Sequence, residues 1–136
     1  MRAARGATPP ATTPPATPPR PGAEVLGLHL EGPFFAVAKR GAHDAALLRA
    51  PSDGARSLDA TYGAENLDGV AVVTLAPELP GALDAVRALD ARGVLVAMGH
   101  SVASLAQARA AHRAGARLVT HLYNACLLYT SPSPRD

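Results

Sequence analysis

Four short apolar segments recur along the chain, and polar or helical stretches separate them. They cover residues 24–30, 70–76, 94–98 and 117–122. Apolar runs of this length, rich in valine and leucine, predict strands that are buried on both faces, as in a parallel sheet covered by helices.

Two of the intervening stretches carry a helical pattern. Residues 81–92 place apolar side chains at every third position and end at Gly93, which predicts a helix packed on one face. A second helix is expected to begin with Ser101 as its N-cap and to continue to about Ala114. The connection between the first two strands, residues 34–69, is predicted to be irregular apart from one short helix at 44–49.

The order of these elements is strand, long loop, strand, helix, strand, helix, strand. This alternation favours the α/β class with a parallel sheet. A closed eight-stranded α/β barrel takes about 250 residues, and this chain has 136. The pattern therefore fits either a small open sheet or part of a larger protein.

The ends of the chain and its composition indicate a disordered arm and argue against membrane-spanning and disulfide-rich proteins. Residues 1–22 hold seven of the 13 prolines and are predicted to be a disordered arm. No apolar run approaches the roughly 20 residues of a membrane helix, and no secretory signal is visible, so the cytoplasm is the predicted location. The single cysteine, Cys126, excludes an internal disulfide framework and a cysteine-cluster zinc site.

The charge pattern does not favour a nucleic-acid partner. The 13 basic and 11 acidic residues give a formal net charge of +2. The arginines are spread along the chain and interleaved with acids, and tryptophan is absent. A nucleic-acid-binding domain is expected to show a basic stripe or patch instead.

Residues with metal-binding chemistry follow three of the four predicted strands. Glu31 follows the first, His100 follows the third, and His121 lies near the end of the fourth. The carboxyl ends of parallel strands meet at one edge, where ligands bind in such folds. Two histidines and a carboxylate are typical of a catalytic zinc site, and such an ion activates water and polarises a carbonyl. His29 is interpreted as a supporting or core residue.

Other chemistry finds less support in the sequence. A nucleophilic role for Ser101 would need a paired base, and the G-x-S-x-G elbow is absent. Neither G-x-G-x-x-G nor a P-loop occurs, so nucleotide binding is not indicated. The helix after Ser101 offers backbone N–H groups that could bind a phosphate.

Five motifs in this order resemble those of the N-acetylglucosamine-6-phosphate deacetylases, which are metal-dependent TIM-barrel enzymes of the amidohydrolase superfamily. The resemblance covers about residues 24–125. Its motifs are LHLEGPF at 28–34, KRGAH at 39–43, VTLAPE at 73–78, GHS at 99–101 and THLYNA at 120–125.

The resemblance implies a partial (β/α)8 barrel in which the four strands are roughly the third to the sixth. It implies that Glu31, His100 and His121 are the metal ligands. A divalent cation is therefore expected, with Zn²⁺ first and Fe²⁺, Co²⁺ or Mn²⁺ also compatible with this ligand set.

The implied reaction is hydrolysis of the acetamide of N-acetylglucosamine 6-phosphate to glucosamine 6-phosphate and acetate. Ala42 and His43 match a segment that contacts the sugar, and Asn124 and Ala125 match the start of a segment that binds the 6-phosphate end. The partners implied are a small phosphosugar substrate and, for the full-length enzyme, a second copy in a homodimer.

The resemblance also implies that this chain lacks one catalytic residue of the family. No residue matches the family's general acid/base aspartate, so the chain as written is expected to be inactive. Residues 126–136 depart from the family pattern and resemble translated sequencing adapter, which leaves residues 23–125 as the partial barrel domain. The alternatives are another metal-dependent amidohydrolase with a different N-acyl substrate, and a non-catalytic module that binds a phosphosugar or a metal.

Overall fold

The computed structural model describes residues 22–64 and 66–123. Their strands are β1 (Leu28–Glu31), β2 (Val70–Leu75), β3 (Leu95–Met98) and β4 (Leu118–Val119). These form one sheet in the order β1-β2-β3-β4, and each neighbouring pair is parallel. The predicted α/β class with a parallel sheet is confirmed. The predictions of a disordered arm and of an artefactual tail at 126–136 concern residues outside the described ones, apart from Gly22.

Three α-helices lie among the described residues: α1 (Ala55–Tyr62), α2 (Ala82–Ala91) and α3 (Leu105–Ala114). The helices predicted after β2 and β3 are confirmed as α2 and α3. The prediction that residues 34–69 are irregular was wrong for α1. This helix buries Leu58 completely and packs Tyr62, one turn later, edge-on against Phe34 with ring centroids 5.7 Å apart.

Both outer strands are shorter than the apolar pattern predicted. The first was expected at 24–30, but Val25 and Leu26 are 87% and 85% exposed, and pairing begins where Leu28 donates to the carbonyl of Gly69. The fourth was expected at 117–122, but the chain turns directly after Val119. The apolar side chains before Leu28 and after Val119 therefore lie outside the paired strands.

Two details of the helical predictions are corrected. The N-cap of α3 is Ser104 and not Ser101. The Ser104 hydroxyl accepts from the N–H of Gln107, and the Gln107 side chain accepts from the N–H of Ser104, so the two form a capping box. The predicted helix at 44–49 is a 3₁₀ helix at Ala45–Leu47, and a second 3₁₀ helix lies at Val37–Lys39.

The two faces of the sheet differ in chemistry. Residues in register on neighbouring strands share a face. Val73, Val96 and Leu75 belong to the face that packs into the buried core with Val86 and Leu89 of α2.

The opposite face carries His29, Glu31 and Thr74 in adjoining register positions, and Leu95 and Leu118 lie half exposed on it. The polar groups of the sheet are therefore concentrated on one face. Within the described residues, no helix has the length and apolarity to cross a membrane.

Candidate metal centre

The structure brings the three predicted ligands together. The Oε1 atom of Glu31 lies 2.7 Å from Nε2 of His100 and 2.9 Å from Nε2 of His121. The two Nε2 atoms lie 3.2 Å apart. Among the described residues, these three offer ligand atoms that all fall within 4.8 Å of one another.

Glu31 is placed by the end of β1. It is the last residue of that strand and pairs in register with Thr74 of β2. The next residue, Gly32, accepts a 2.7 Å hydrogen bond at its carbonyl from the Tyr62 hydroxyl of α1. Burial raises the pKa of Tyr62, so this hydroxyl keeps its proton and remains a donor. Helix α1 therefore fixes the direction in which the chain leaves Glu31.

Two contacts orient the ring of His100, one at its face and one at its Nδ1 atom. The ring stacks on Phe35, with centroids 4.1 Å apart and an interplanar angle of 21°. Its Nδ1 atom lies 2.8 Å from the carbonyl oxygen of Lys39. A carbonyl oxygen can only accept, so Nδ1 carries a hydrogen, and Nε2, which lies beside Glu31, is the ring nitrogen left to bind a cation. This arrangement aims a ligand atom at Glu31.

Thr74 and Thr120 lie so close to the backbone at residue 99 that only glycine fits there, directly before His100. A Cβ atom at Gly99 would lie 2.8 Å from Cγ2 of Thr74 and 2.9 Å from Cβ of Thr120. Those contacts are shorter than van der Waals packing allows. Gly99 therefore lets the ends of β2 and β4 close around the strand that delivers His100.

His121 lies at the turn after β4, with a backbone φ of 36°. The preceding Thr120 donates its N–H to the carbonyl of Met98. Its hydroxyl lies 2.6 Å from the hydroxyl of Thr74, which lies 2.7 Å from Nε2 of His29. His29 therefore supports the strands that carry the site and lies on the same face as Glu31. It is exposed, so the alternative interpretation as a core residue was wrong.

The charge balance of the site depends on the two imidazoles. Desolvation is the largest single effect on Glu31 and raises its pKa. Together, the hydrogen bonds from His100 and His121 and their positive charge outweigh it, and the pKa of Glu31 lies below its ordinary value. The carboxylate is accordingly ionised near neutral pH.

The donor set fits a divalent cation. Two imidazole nitrogens and a carboxylate oxygen this close need positive charge between them, which either protons or a cation supplies. Ligands at about 2.1 Å from a tetrahedral zinc ion lie roughly 3.4 Å apart. The three atoms would need to separate by less than about 1 Å to reach that spacing.

The other predicted site residues have different positions. Ala42 is exposed, and the half-buried ring of His43 packs edge-on against Phe35 and His100 at centroid distances of 4.9 and 5.0 Å. Asn124 and Ala125 lie outside the described residues.

The sequence interpretation missed two residues that support the site. They are Phe35 and the Lys39 carbonyl, which contact the ring of His100. Phe35 follows one of the recognised motifs and Lys39 begins another, and that position was the signal that could have identified them.

The chain is similar to known proteins in sequence and in structure. No family model matches the chain. The human N-acetylglucosamine-6-phosphate deacetylase is 53% identical over 114 residues, which are 83% of this chain and 27% of that protein. An N-acetylgalactosamine-6-phosphate deacetylase from Escherichia coli O157:H7 is 45% identical over 104 residues, 76% of this chain and 27% of that protein.

The structural comparison gives the same relationship. An N-acetyl-D-glucosamine-6-phosphate deacetylase variant from Mycobacterium smegmatis, solved with N-acetyl-D-glucosamine 6-phosphate, superposes with a TM-score of 0.61 at 41% identity. The match covers 81% of this chain and 26% of that one. The chain spans about a quarter of the length of the relatives it matches, and its four-stranded parallel sheet matches part of the fold of that deacetylase. Sequence and structure together confirm the resemblance of this chain to the N-acetylglucosamine-6-phosphate deacetylases.

Proposed function

We propose that this chain provides the metal-binding part of a deacetylase that acts on N-acetylglucosamine 6-phosphate. The observation that carries the proposal is the convergence of Glu31, His100 and His121 at the carboxyl ends of β1, β3 and β4. The names of the relatives supply the substrate class.

Each residue of the site has a part in this proposal. Glu31, His100 and His121 would hold a divalent cation, which when bound supplies Lewis-acid polarisation of the acetamide carbonyl and activation of water. The carbonyl of Lys39 and the ring of Phe35 keep His100 oriented as a ligand. His43 lies beside that ring and, with Ala42, would contact the sugar.

The phosphate end of the substrate is assigned to Asn124 and Ala125 on the resemblance alone. The sugar itself needs a direct test, because one relative is named for the galactosamine compound. A panel of N-acetylglucosamine and N-acetylgalactosamine, each with and without the 6-phosphate, run on a full-length relative, separates the two sugars. A preference for an unphosphorylated N-acyl compound would favour a different amidohydrolase.

Hydrogen bonds within the protein weaken the alternative of a phosphate-binding module at the start of α3. The N–H groups of Val102, Ala103 and Ser104 donate to side chains of Glu78, Ser101 and Gln107 respectively. Backbone donors already paired within the protein are not available to an anion.

Metal binding is the first prediction. The chain is expected to bind Co²⁺ and Zn²⁺, and Co²⁺ to give the visible absorption of a low-coordinate nitrogen and oxygen site. Glu31→Gln removes the anionic ligand, so its loss of affinity should exceed the roughly 10–100-fold that removal of a supporting group costs. The measurements are a spectrophotometric Co²⁺ titration and Zn²⁺ calorimetry.

Asp68→Asn is the matched control, because it makes the same chemical change at an exposed position away from the site. Equal affinity in the wild type and in Glu31→Gln would refute the proposed metal centre.

Acetate release is the second prediction. We expect no measurable turnover of N-acetylglucosamine 6-phosphate by the 136-residue chain, which spans 27% of its human relative. The resemblance assigns an acid/base aspartate to no residue of this chain, and loss of such a group typically removes about 10²–10⁴ of rate. Steady acetate production by the purified, metal-loaded chain would contradict this expectation.

Homodimerisation and the cytoplasmic location stay predictions from the sequence and the resemblance.

A further inference from the structure

Glu78 lies at the carboxyl end of β2, away from the three ligand atoms, and joins two loops of the site. Its Oε2 accepts from the Ser101 hydroxyl at 2.6 Å, and its Oε1 accepts from the N–H of Val102 at 2.6 Å. Both partners are more than 20 residues further along the chain. A single half-buried carboxylate thus ties the loop after β2 to the loop after β3.

The loop that Glu78 holds contains His100 in an uncommon conformation. His100 has a backbone φ of 49°, a region that residues other than glycine seldom occupy and that persists where surrounding contacts enforce it. On its N-terminal side, Gly99 donates to the carbonyl of Leu75, and the carbonyl of His100 itself accepts from the N–H of Ala36. On its C-terminal side, the next two residues are the ones that Glu78 binds.

We propose that Glu78 is a positioning residue for His100, acting through Ser101 and Val102 to keep its imidazole aimed at Glu31. The inference rests on the proposed metal centre. Supporting groups of this kind orient a ligand and raise metal affinity without touching the ion. Ser101, considered from the sequence as a helix cap or a nucleophile, is then a connector: it donates to Glu78 and accepts from the N–H of Ala103.

The chemistry of the contact suggests the pair of variants that tests it. Glu78→Ala removes both acceptors. Glu78→Gln can keep both contacts, because its amide oxygen accepts from the Val102 N–H and its NH₂ group donates to the Ser101 hydroxyl. Asp84→Ala is the control for the loss of a negative charge, since Asp84 lies on α2, is largely exposed and pairs with Arg87.

The first readout is the Co²⁺ titration of the 136-residue chain. Glu78→Ala is expected to lose roughly 10–100-fold in affinity and to change the visible spectrum. Glu78→Gln and Asp84→Ala are expected to retain the wild-type affinity and spectrum. Wild-type affinity and spectrum in Glu78→Ala would overturn the proposal, as would a Glu78→Gln protein as impaired as Glu78→Ala.

A second readout needs no metal and separates this inference from the proposed function. The ¹⁵N shift of His100 Nδ1 should report a nitrogen that carries hydrogen and donates to the Lys39 carbonyl in the wild type, and Glu78→Ala should weaken that signature. If the wild type binds no Co²⁺, the metal centre fails and the ring shifts alone decide the role of Glu78.

Ser101→Ala covers the case in which Glu78→Ala does not fold, as judged by urea unfolding. It removes one of the two contacts and should shift affinity and tautomer in the same direction by less. Unchanged ring shifts and affinity in Ser101→Ala would then count against the proposal.

Discussion

At the scale of single residues, Thr74 has a central position beneath the candidate metal centre. It is completely buried, and its hydroxyl lies within hydrogen-bond distance of His29 on β1 and of Thr120 after β4. The hydroxyl therefore links three parts of the sheet whose outer two carry Glu31 and His121. Buried polar groups of this kind are costly to leave without a partner.

Thr74→Val tests that link. Valine keeps the shape of threonine but cannot hydrogen-bond, so His29 and Thr120 each lose a partner. We expect the free energy of unfolding to fall by about 1–3 kcal/mol, measured by urea denaturation followed by circular dichroism. Thr74→Ser, which restores the hydroxyl, should recover part of the loss. A Thr74→Val protein as stable as the wild type would show that the hydroxyl contributes little.

The three residues of the candidate metal centre were predictable because they share a position in the fold. Glu31 and His100 each follow an apolar run, His121 lies near the end of one, and the carboxyl ends of parallel strands meet at one edge. Their supports were harder to predict. The acceptor for the His100 ring is a backbone carbonyl 61 residues away, and a carbonyl has no sequence signature because every residue has one.

At the scale of elements, the helices differ in how clearly the sequence encodes them. Helix α2 buries Val86 and Leu89 on one face, and this spacing made it predictable. Helix α1 has eight residues and one fully buried side chain, Leu58, so its pattern was too sparse to identify. Its last residue, Tyr62, contacts Phe34 and Gly32, which lie about 30 residues earlier in the chain. Helix propensity does not describe contacts of this kind.

The capping box of α3 gives the prediction at this scale. Ser104→Ala removes the acceptor for the Gln107 N–H. It should lower the free energy of unfolding by about 1 kcal/mol, within the range of 0.5–2 kcal/mol for lost N-caps. Ser104→Asp keeps an acceptor at the same place and should stay close to the wild type in the same urea titration. A larger effect of the aspartate variant than of the alanine variant would refute this cap.

At the scale of the whole molecule, the described sheet has two outer strands that each pair on one side. They are β1 and β4. Leu95 and Leu118 are 47% and 41% exposed on the face that carries Glu31. Unpaired strand edges beside apolar surface are a template for association with other chains.

Self-association of the 136-residue chain follows from these edges. We expect its average mass in sedimentation experiments to rise with protein concentration. Leu118→Lys places a charge on the outer strand and should reduce the effect. Leu105→Lys makes the same change at an exposed position on α3 and should not. A monomer at all concentrations, or equal effects of the two variants, would contradict the expectation.

The order of strands also bears on when the site can exist during synthesis. Each strand pairs with the one made just before it, so the sheet can grow outward as the nascent chain leaves the ribosome. Glu31 is made 69 residues before His100 and 90 before His121. At a translation rate of about 5–20 residues per second, roughly 5 to 20 s pass between the synthesis of Glu31 and that of His121. Capture of a cation by all three side chains would therefore report that translation has passed His121 and that the four strands have docked.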